Sequence, residues 1–136
     1  MVLIEHLSHF LENNKVLLYV GRLAPHKGVH SLIDAFRLIK NQIPNAKLLI
    51  VGKSTFENYF RRIKNIASND VIFVGVVPDG KLPSYYAACD VYATASLWEG
   101  FNIPAAEAQA CNKPVVAFNI GSHPEIIKRG TLVEKG

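Results

Sequence analysis

The chain has 136 residues and a mass of 15.0 kDa, the size of one domain that buries roughly two-thirds of its unfolded surface. Hydrophobic residues make up 49% and charged residues 19%, which excludes a disordered or fibrous protein. The net charge of +4 is modest, and its densest cluster is Arg61, Arg62 and Lys64. We therefore predict no nucleic-acid partner, because that would need a concentrated basic stripe with stacking aromatics.

Cellular location is suggested by what the sequence lacks. Cys89 and Cys111 lie in alanine-rich surroundings and form no motif pair, so we predict free thiols and a reducing compartment. No apolar run reaches the roughly 18 residues of a membrane span, and the first residues lack the basic start of a signal peptide. We expect a cytoplasmic protein.

Residues 1–14 form a segment of their own before the predicted domain, 15–136. Leu3, Ile4, Leu7, Phe10 and Leu11 recur at helical spacing, which predicts an amphipathic helix over residues 2–12. Its apolar face either packs on the domain or covers a surface made for a partner. His6 and His9 are one turn apart, but no third ligand is in sight, so we predict no metal site.

From residue 15 onward, short apolar runs alternate with stretches of helical period. We predict strands over residues 16–21, 47–52, 71–75, 90–95, 114–118 and 131–133. We predict helices over residues 29–41, 54–67, 78–88, 103–111 and 124–128. Ser54 and Glu57 form a capping-box pattern for the second of these helices, and Asp79 is expected to cap the third.

Strands that alternate with helices predict an α/β fold, a Rossmann-like three-layer domain with a six-stranded, mostly parallel sheet. The expected strand order is 3-2-1-4-5-6. In this order the winding direction reverses between strands 1 and 4. The loops after Gly21 and Ala95 therefore open onto one crevice, where we expect the ligand.

Charged residues and glycines concentrate in these two loops. Arg22 and Lys27 follow strand 1, and Gly28 would let the backbone approach a ligand closely. After strand 4, residues 100–103 would present free backbone N–H groups at a helix start, which attracts an anion. Two cations and a positive helix end match the roughly two negative charges of a diphosphate.

Two acids flank this helix start, Glu99 in the turn and Glu107 within the helix. The alanines around Glu107 suggest close packing, and a carboxylate in such surroundings needs a partner or a ligand. We interpret Glu107 as the acceptor for ribose hydroxyls and Glu99 as an acceptor for sugar hydroxyls. Neither GxGxxG nor GxxxxGK[ST] is present, which disfavours a nicotinamide cofactor or a phosphoryl-transfer ATPase.

Three segments carry a family resemblance: GRLAPHKG (residues 21–28), residues 73–96, and EGFNIPAAEAQACNKPVVAFNIGSHPE (residues 99–125). They resemble the C-terminal domain of GT-B fold retaining glycosyltransferases, the glycosyl transferases group 1 family, from about Lys15 to the end. The resemblance implies half of a GT-B fold. It also implies a nucleotide-diphosphate-sugar donor, UDP- or GDP-linked, and transfer of a hexose to a glycan, lipid or small molecule without cofactor or metal.

The resemblance also implies residue roles. Arg22 and Lys27 stabilise the leaving diphosphate, Glu99 contacts the donor sugar, and Glu107 contacts the ribose. The remaining donor-binding positions are Gly21, Gly28, Gly100, Phe101, Asn102 and Ile103. Loops over residues 53–56 and 76–81 would set the choice of base. The alternatives of a wholly cytoplasmic enzyme and of one attached to the inner face of the membrane stay open.

The sequence departs from the family pattern in several places. Asn102 replaces the second glycine of EGFG, and asparagine tolerates a left-handed or tight turn. Asn112 stands where glycine is common, at a helix C-terminus that asparagine can fill. Ser122 replaces a frequent glycine near the expected donor sugar. The acceptor-binding N-terminal domain, in cis or in trans, is not in this sequence. We therefore expect this chain to bind donor and to transfer little.

Two other functions share these features. A nucleotide-sugar epimerase with the same architecture would use the same cleft with different sugar contacts. A non-catalytic module that binds a nucleotide-sugar and docks a partner through residues 3–11 is the third possibility.

Overall fold

The computed structural model describes residues 15–97, 99–118, 121, 123–128 and 130–133, so the predicted helix over residues 2–12, His6, His9 and Ser122 lie outside the described residues. Within this part the strands are β1 (Lys15–Val20), β2 (Ala46–Val51), β3 (Val71–Gly75), β4 (Val91–Ala93), β5 (Val115–Phe118) and β6 (Gly130–Val133). The helices are α1 (Val29–Gln42), α2 (Glu57–Ile66), α3 (Leu82–Ala88), α4 (Ile103–Ala110) and α5 (His123–Ile126). Short 3₁₀ turns span Pro25–Lys27 and Asp79–Lys81.

The described strands form one parallel sheet in the order β3-β2-β1-β4-β5-β6, which confirms the predicted topology. β1 and β2 pair along their whole length, from Lys15 opposite Ala46 to Val20 opposite Val51. β1 and β4 pair through Leu17 and Leu18, in the middle of β1, opposite Val91 and Tyr92 at the beginning of β4, and the described pairing does not continue to Val20. The two strands therefore separate towards their carboxyl ends, where the predicted crevice lies.

The central strands are buried on both faces, as their continuous apolar runs predicted. In β2, Leu49 and Val51 enter one hydrophobic cluster, whereas Leu48 and Ile50 enter the other. Side chains alternate between the faces of a strand, so one six-residue segment contributes to both layers of the core. α1 and α2 cover one face of the sheet, and α3 and α4 cover the other.

The predicted start of α2 is wrong. Ser54 does not cap the helix, which begins at Glu57 after Phe56, and no side chain caps it. Ser54 instead lies in a parallel bridge with Leu23, so the chain stays extended beyond the predicted start. A tertiary contact thus overrides the local capping pattern.

The predicted cap of α3 is also wrong. Pro78 is the N-cap residue of the 3₁₀ turn, and Asp79 is the first residue inside that turn. No side-chain hydrogen bond caps the turn or the helix that follows.

The fourth strand is shorter than predicted. Among the described residues, the ladder continues after Ala93 with one bond, from the Thr94 N–H to the Val116 carbonyl at 3.0 Å. The Ser96 N–H then bonds to the Thr94 Oγ1 at 3.2 Å, which turns the chain away from the sheet. The third helix was predicted to begin at residue 78, whereas α3 begins at Leu82, after the 3₁₀ turn. The remaining predicted elements agree with the observed ones to within two residues at each end.

The end of α4 has the geometry expected from Asn112. Asn112 has a φ of 67°, in the left-handed region that the sequence analysis assigned to asparagine. Its N–H donates to the Gln109 carbonyl at 2.9 Å, and the Lys113 N–H donates to the Ala108 carbonyl at 3.0 Å. These two bonds form a Schellman motif, which satisfies carbonyls that the helix end would leave unpaired.

Cys89 and Cys111 are free thiols, as predicted, although only Cys89 is fully buried. Burial raises the pKa of the Cys89 thiol to about 11. Among the described helices, none combines the length and the hydropathy that crossing a bilayer requires.

An ionic cluster joins α1, β2 and the start of β3 at the amino-terminal edge of the sheet. Asp70 accepts from Lys40 at 2.9 Å and also from Lys47. These hydrogen bonds, that of Lys47 first, lower the pKa of Asp70. The cluster therefore stabilises the fold while Asp70 is ionised.

We expect Asp70→Asn to lower the free energy of unfolding at neutral pH by about 1 kcal/mol, the sum of two partly exposed pairs. A lowered folded-state pKa gives stability that is fully present above the ordinary pKa of aspartate, about 4, and is lost as the pH falls through the lower folded value. Urea denaturation should show the difference at pH 7 and lose it in strong acid. A difference that persists unchanged there contradicts this account.

Candidate functional site

A cavity of about 370 Å³ opens at the carboxyl ends of β1 and β4. Its lining comes from both loops that were predicted to meet there: Tyr19, Val20, Gly21, Arg22, His26, Lys27, Tyr92, Thr94, Ser96, Glu99, Phe101, Asn102, Ile103 and Pro104. The meeting of the two loops at the switch point of the sheet is thus confirmed. Gly28, Gly100 and Glu107 were predicted for the site but do not line this cavity.

Backbone contacts hold the two loops together. The Leu97 N–H donates to the His26 carbonyl at 2.9 Å, and the Ser96 hydroxyl donates to the Lys27 carbonyl at 3.5 Å. Gly28 has a φ of 67°, and a Cβ on it would lie 2.0 Å from the carbonyl oxygen of Ala95. The close backbone approach predicted at Gly28 is therefore an approach to the neighbouring loop of the protein.

Arg22 is exposed at the edge of the cavity, and its side chain makes no ion pair with any residue in the described part of the chain. Its backbone is fixed by Tyr19, whose hydroxyl donates to the Arg22 carbonyl at 3.0 Å. Burial, and then the nearby Glu99, raise the pKa of Tyr19, which keeps this hydroxyl protonated. The cavity therefore has an uncompensated cation on an anchored backbone.

Lys27 is paired, which the sequence analysis did not foresee. Its Nζ lies 3.0 Å from Oε1 and 2.9 Å from Oε2 of Glu99. Glu99 is buried, with 8% of its side chain exposed, whereas 23% of Lys27 is exposed. In this conformation Lys27 is not free to bind a diphosphate and Glu99 is not free to accept from sugar hydroxyls, because the two side chains neutralise each other.

The amino end of α4 also differs from the expected row of free N–H groups. Asn102 is its N-cap residue, and its Oδ1 accepts from the Ala105 N–H at 3.1 Å. Pro104 has no N–H to offer. Among the described residues, nothing accepts from the N–H groups of residues 100–103, so these four donors remain for an anion.

Asn102 does not substitute for a left-handed glycine. Its φ is −93° and its side chain is buried and hydrogen-bonded, so Asn102 does not adopt the left-handed conformation. The asparagine contributes a helix cap instead. Gly100 also has open space where a Cβ would be placed.

Glu107 is exposed, so the interpretation that it lies in close packing is wrong. Ala105 and Ala108 are fully buried, while Glu107 projects from the other side of α4. Its Oε1 accepts from the Tyr86 hydroxyl at 3.1 Å. Burial, and then Glu107, raise the pKa of Tyr86, so this tyrosine remains a donor. The predicted contact of Glu107 with ribose stays a prediction.

Tyr92 is a structural residue of the site that the sequence analysis missed. It is buried, and its hydroxyl donates to the Val20 carbonyl at 2.8 Å and accepts from the Val20 N–H at 3.3 Å. This side chain replaces the ladder bonds lost where β1 and β4 separate. A tyrosine within an apolar strand was the available signal, because a buried phenol needs a partner.

His123 was missed as well. It is fully buried, its Nδ1 lies 2.7 Å from the Phe118 carbonyl oxygen, and its Nε2 lies 3.1 Å from the Asn102 Nδ2. A Cβ on the nearby Gly121 would lie 2.4 Å from the Glu99 carbonyl oxygen. Gly121 and His123 therefore both contact the stretch that leads into α4.

No group of three or more His, Cys, Asp or Glu side chains within the described ranges could hold a metal ion. The metal-independence of any reaction stays a prediction. A second cavity, of about 420 Å³, lies at the carboxyl ends of β2 and β3. It is lined by Leu23, Gly52, Lys53, Ser54, Thr55, Glu57, Phe60, Phe73, Val74, Gly75 and Val76.

A parallel sheet with this strand order and a polar crevice at its switch point defines a Rossmann-like domain. The family model described as "Glycosyl transferases group 1" matches residues 5–136. The chain therefore belongs to the glycosyl transferases group 1 family, as its sequence indicated.

Similar proteins agree with this assignment. The chain is 35% identical to the GDP-mannose-dependent monoacylated α-(1-6)-phosphatidylinositol monomannoside mannosyltransferase of Corynebacterium glutamicum, over 93% of this chain and 35% of that protein. It is 33% identical to the putative glycosyltransferase YtcC of Bacillus subtilis, over 87% of this chain and 31% of that protein. It thus spans about a third of the curated relatives it matches.

Solved structures show the same fold. Anabaena HepE in complex with UDP and glucose superimposes with a TM-score of 0.84 at 32% identity, over 96% of this chain and 38% of that one. The C-terminal domain of the group 1 family protein LpcC from Francisella tularensis gives a TM-score of 0.74 at 30% identity. That match covers 88% of this chain and 67% of the other.

Proposed function

We propose that this chain is the donor-binding domain of a retaining, metal-independent hexosyltransferase, and that its cavity holds the diphosphate of a nucleotide-sugar. The observation that carries the proposal is that one cavity is lined both by Arg22, which makes no ion pair among the described residues, and by residues 101–103, whose N–H groups are unbonded there. A guanidinium and a helix amino end both favour phosphate oxygens, and they provide fixed donors without a metal ion.

Lys27 and Glu99 become available to the donor when their ion pair opens. The diphosphate attracts Lys27, and the released Glu99 carboxylate accepts from sugar hydroxyls. An ionised carboxylate only accepts, so it suits a ligand group that presents O–H donors. The opening of a buried pair costs free energy, because both charges lose their partner, and the phosphate must compensate for that loss.

The second cavity extends the site towards the nucleoside. It is lined by residues of the loops that were predicted to set the choice of base, including Lys53, Thr55 and Val76. Phe60 and Phe73 pack edge to face in its wall, with ring centroids 5.7 Å apart. An apolar wall with a few polar groups is the usual character of a small-molecule site.

The named relatives support a nucleotide-diphosphate-sugar as the ligand but leave its base open. HepE was solved with UDP and glucose, and the mannosyltransferase of C. glutamicum is GDP-mannose-dependent. A UDP- or GDP-linked hexose is therefore the donor class that we propose. The acceptor side belongs to an N-terminal domain, and the exposed Phe101 (62%) and Ile103 (58%) at the cavity edge are a suitable surface to face it.

We expect the chain to bind UDP or GDP by itself and Arg22→Ala to weaken that binding about tenfold, the value of one charge-assisted hydrogen bond. Calorimetric titration measures both. Arg37→Ala is the matched control, because Arg37 is an exposed arginine on α1 that contacts Asp34. Absence of binding at millimolar UDP and GDP, or equal losses for the two variants, would overturn the proposal.

Transfer requires the N-terminal domain, so we expect little or none from this chain alone. The epimerase alternative uses the same cavity. Assay of the complete enzyme for transfer against isomerisation decides between the two, and a cytoplasmic location stays a prediction.

A further inference from the structure

The buried hydrogen bonds of His123 determine which of its nitrogens carries the proton. A backbone carbonyl only accepts, so the Nδ1 that lies 2.7 Å from the Phe118 oxygen is the protonated nitrogen. The Nε2 of the neutral ring is then an acceptor, and it faces the Asn102 Nδ2 at 3.1 Å.

This acceptor in turn determines the orientation of the Asn102 amide. With its NH₂ directed at the His123 Nε2, the amide presents Oδ1 to the Ala105 N–H, which caps α4. A flipped amide would place its NH₂ against the Ala105 N–H, and the cap would be lost. Every hydrogen bond in this series therefore joins a donor to an acceptor, from the Phe118 carbonyl through His123 and Asn102 to the Ala105 N–H.

We propose that His123 is a positioning residue for donor binding, acting through Asn102. It locks the N-cap orientation of Asn102 and thereby holds the start of α4 and the unbonded N–H groups of residues 101–103, which belong to the cavity lining. The proposal rests on the proposed function, since it concerns the affinity of the same anion site. His123 itself is fully buried and does not line the cavity.

A second contact strengthens this arrangement. Gly121, two residues before His123, packs against the Glu99 carbonyl so closely that a Cβ there would lie 2.4 Å from its oxygen. Gly121 and His123 therefore contact the stretch 99–102 at its two ends, Glu99 and Asn102. Because this region is tightly packed, a substitution at His123 should change the orientation of the Asn102 cap and thereby the start of α4.

Two variants separate the nitrogens of His123. His123→Asn places an amide group near the Nδ1 position, so it keeps a donor for Phe118 and loses the acceptor for Asn102. His123→Gln reaches the Nε2 position with its Oε1, so it keeps that acceptor. Both variants change a buried side chain and both should lower the melting temperature. Only H123N should lose UDP affinity, about fivefold, the usual size of a cap effect.

Hydrogen exchange of the Ala105 amide gives a readout that does not need the ligand. We expect faster exchange in H123N than in H123Q. If wild-type protein fails to bind UDP, the proposed function fails and the effect on binding fails with it. If wild-type protein binds UDP and the two variants match in affinity and Ala105 exchange, the positioning role alone is overturned.

Asn102→Ser keeps the test decisive should H123N fail to fold. A serine hydroxyl caps a helix without needing a neighbour to orient it. In the N102S background, His123→Gln and unmodified His123 should therefore bind UDP equally, whatever affinity the N102S chain itself has for UDP. A large loss of UDP affinity on adding H123Q to N102S would show that His123 acts by another route, and would overturn the proposal.

Discussion

Replacing Glu99 by glutamine should raise the affinity of the chain for UDP by about tenfold or more. In the unliganded conformation both carboxylate oxygens of Glu99 accept from the Lys27 ammonium. Glutamine removes the charge, which frees Lys27 for a phosphate and removes a buried negative charge from the cavity wall. One charge-assisted hydrogen bond is worth about 1.5–3 kcal/mol, and about 1.4 kcal/mol is tenfold in affinity.

The gain should disappear for a complete UDP-sugar. Glu99 is proposed to accept from sugar hydroxyls once its pair with Lys27 has opened, and a neutral amide oxygen accepts less strongly than a carboxylate. The ratio of UDP-sugar affinity to UDP affinity should therefore fall in Glu99→Gln. Calorimetric titration of both ligands against both proteins gives this ratio directly.

Asp34→Asn is the matched control for the loss of one negative charge. Asp34 lies on α1, is 59% exposed and pairs only weakly with Arg37 at 3.6 Å. We expect the Asp34→Asn variant to bind UDP with nearly the wild-type affinity, because a charge so far from the cavity has only a small electrostatic effect on the ligand. Equal gains in both variants would mean that net charge, and not the Lys27–Glu99 pair, controls binding. Weaker UDP binding by Glu99→Gln would contradict the account outright.

Gly28→Ala should lower the free energy of unfolding by about 3 kcal/mol or more. The φ of 67° is unfavourable for alanine, and the added Cβ would lie 2.0 Å from the Ala95 carbonyl oxygen, so one loop must move. The loops that contain Gly28 and Ala95 are the two loops that form the cavity. We therefore expect weaker UDP binding together with the lost stability, measured by urea denaturation and by titration.

Gly100→Ala is the control within the site. Gly100 has open space at its Cβ position and no positive φ, so alanine should change stability by less than about 0.5 kcal/mol. Equal destabilisation by the two substitutions would contradict the role assigned to the Gly28–Ala95 contact. A large loss of UDP affinity in Gly100→Ala would instead support the family-based prediction that Gly100 is a donor-binding position.

The strand order and the place of the crevice were predictable because they depend on patterns that the sequence displays directly. Apolar runs such as residues 47–52 are long enough to be strands and too short to be buried helices. Right-handed crossovers then leave few topologies for strands alternating with helices. The loops after Gly21 and Ala95 meet as a consequence of that topology, whatever their side chains.

The pairings inside the crevice were not predictable in the same way. Lys27 and Glu99 are far apart in sequence, and nothing local indicates that they contact each other in preference to a ligand. The capping role of Asn102 was obscured by the family's glycine at that position, which suggested a backbone explanation. His123 gave no local signal at all, since a histidine beside a proline in a turn is usually exposed.

The predictions of the start of α2 and of the surroundings of Glu107 were wrong for a related reason. Ser54 and Glu57 have the spacing of a capping box, but the bridge between Leu23 and Ser54 keeps the chain extended at that point. Glu107 has buried alanines on both sides in sequence, yet it projects to solvent from the helix they bury. Local patterns identify which elements form, whereas the faces and caps depend on tertiary contacts.

A two-dimensional NMR titration of the 136-residue chain with UDP tests the central claim most directly. The account predicts that the largest amide shift changes fall on Arg22, Lys27 and residues 100–103, with smaller changes around the second cavity at Lys53 and Val76. The exposed surface of α1 near Asp34 should remain unchanged. Saturable changes confined to other surfaces, or none at millimolar UDP and GDP, would contradict the claim that this crevice binds a nucleoside diphosphate.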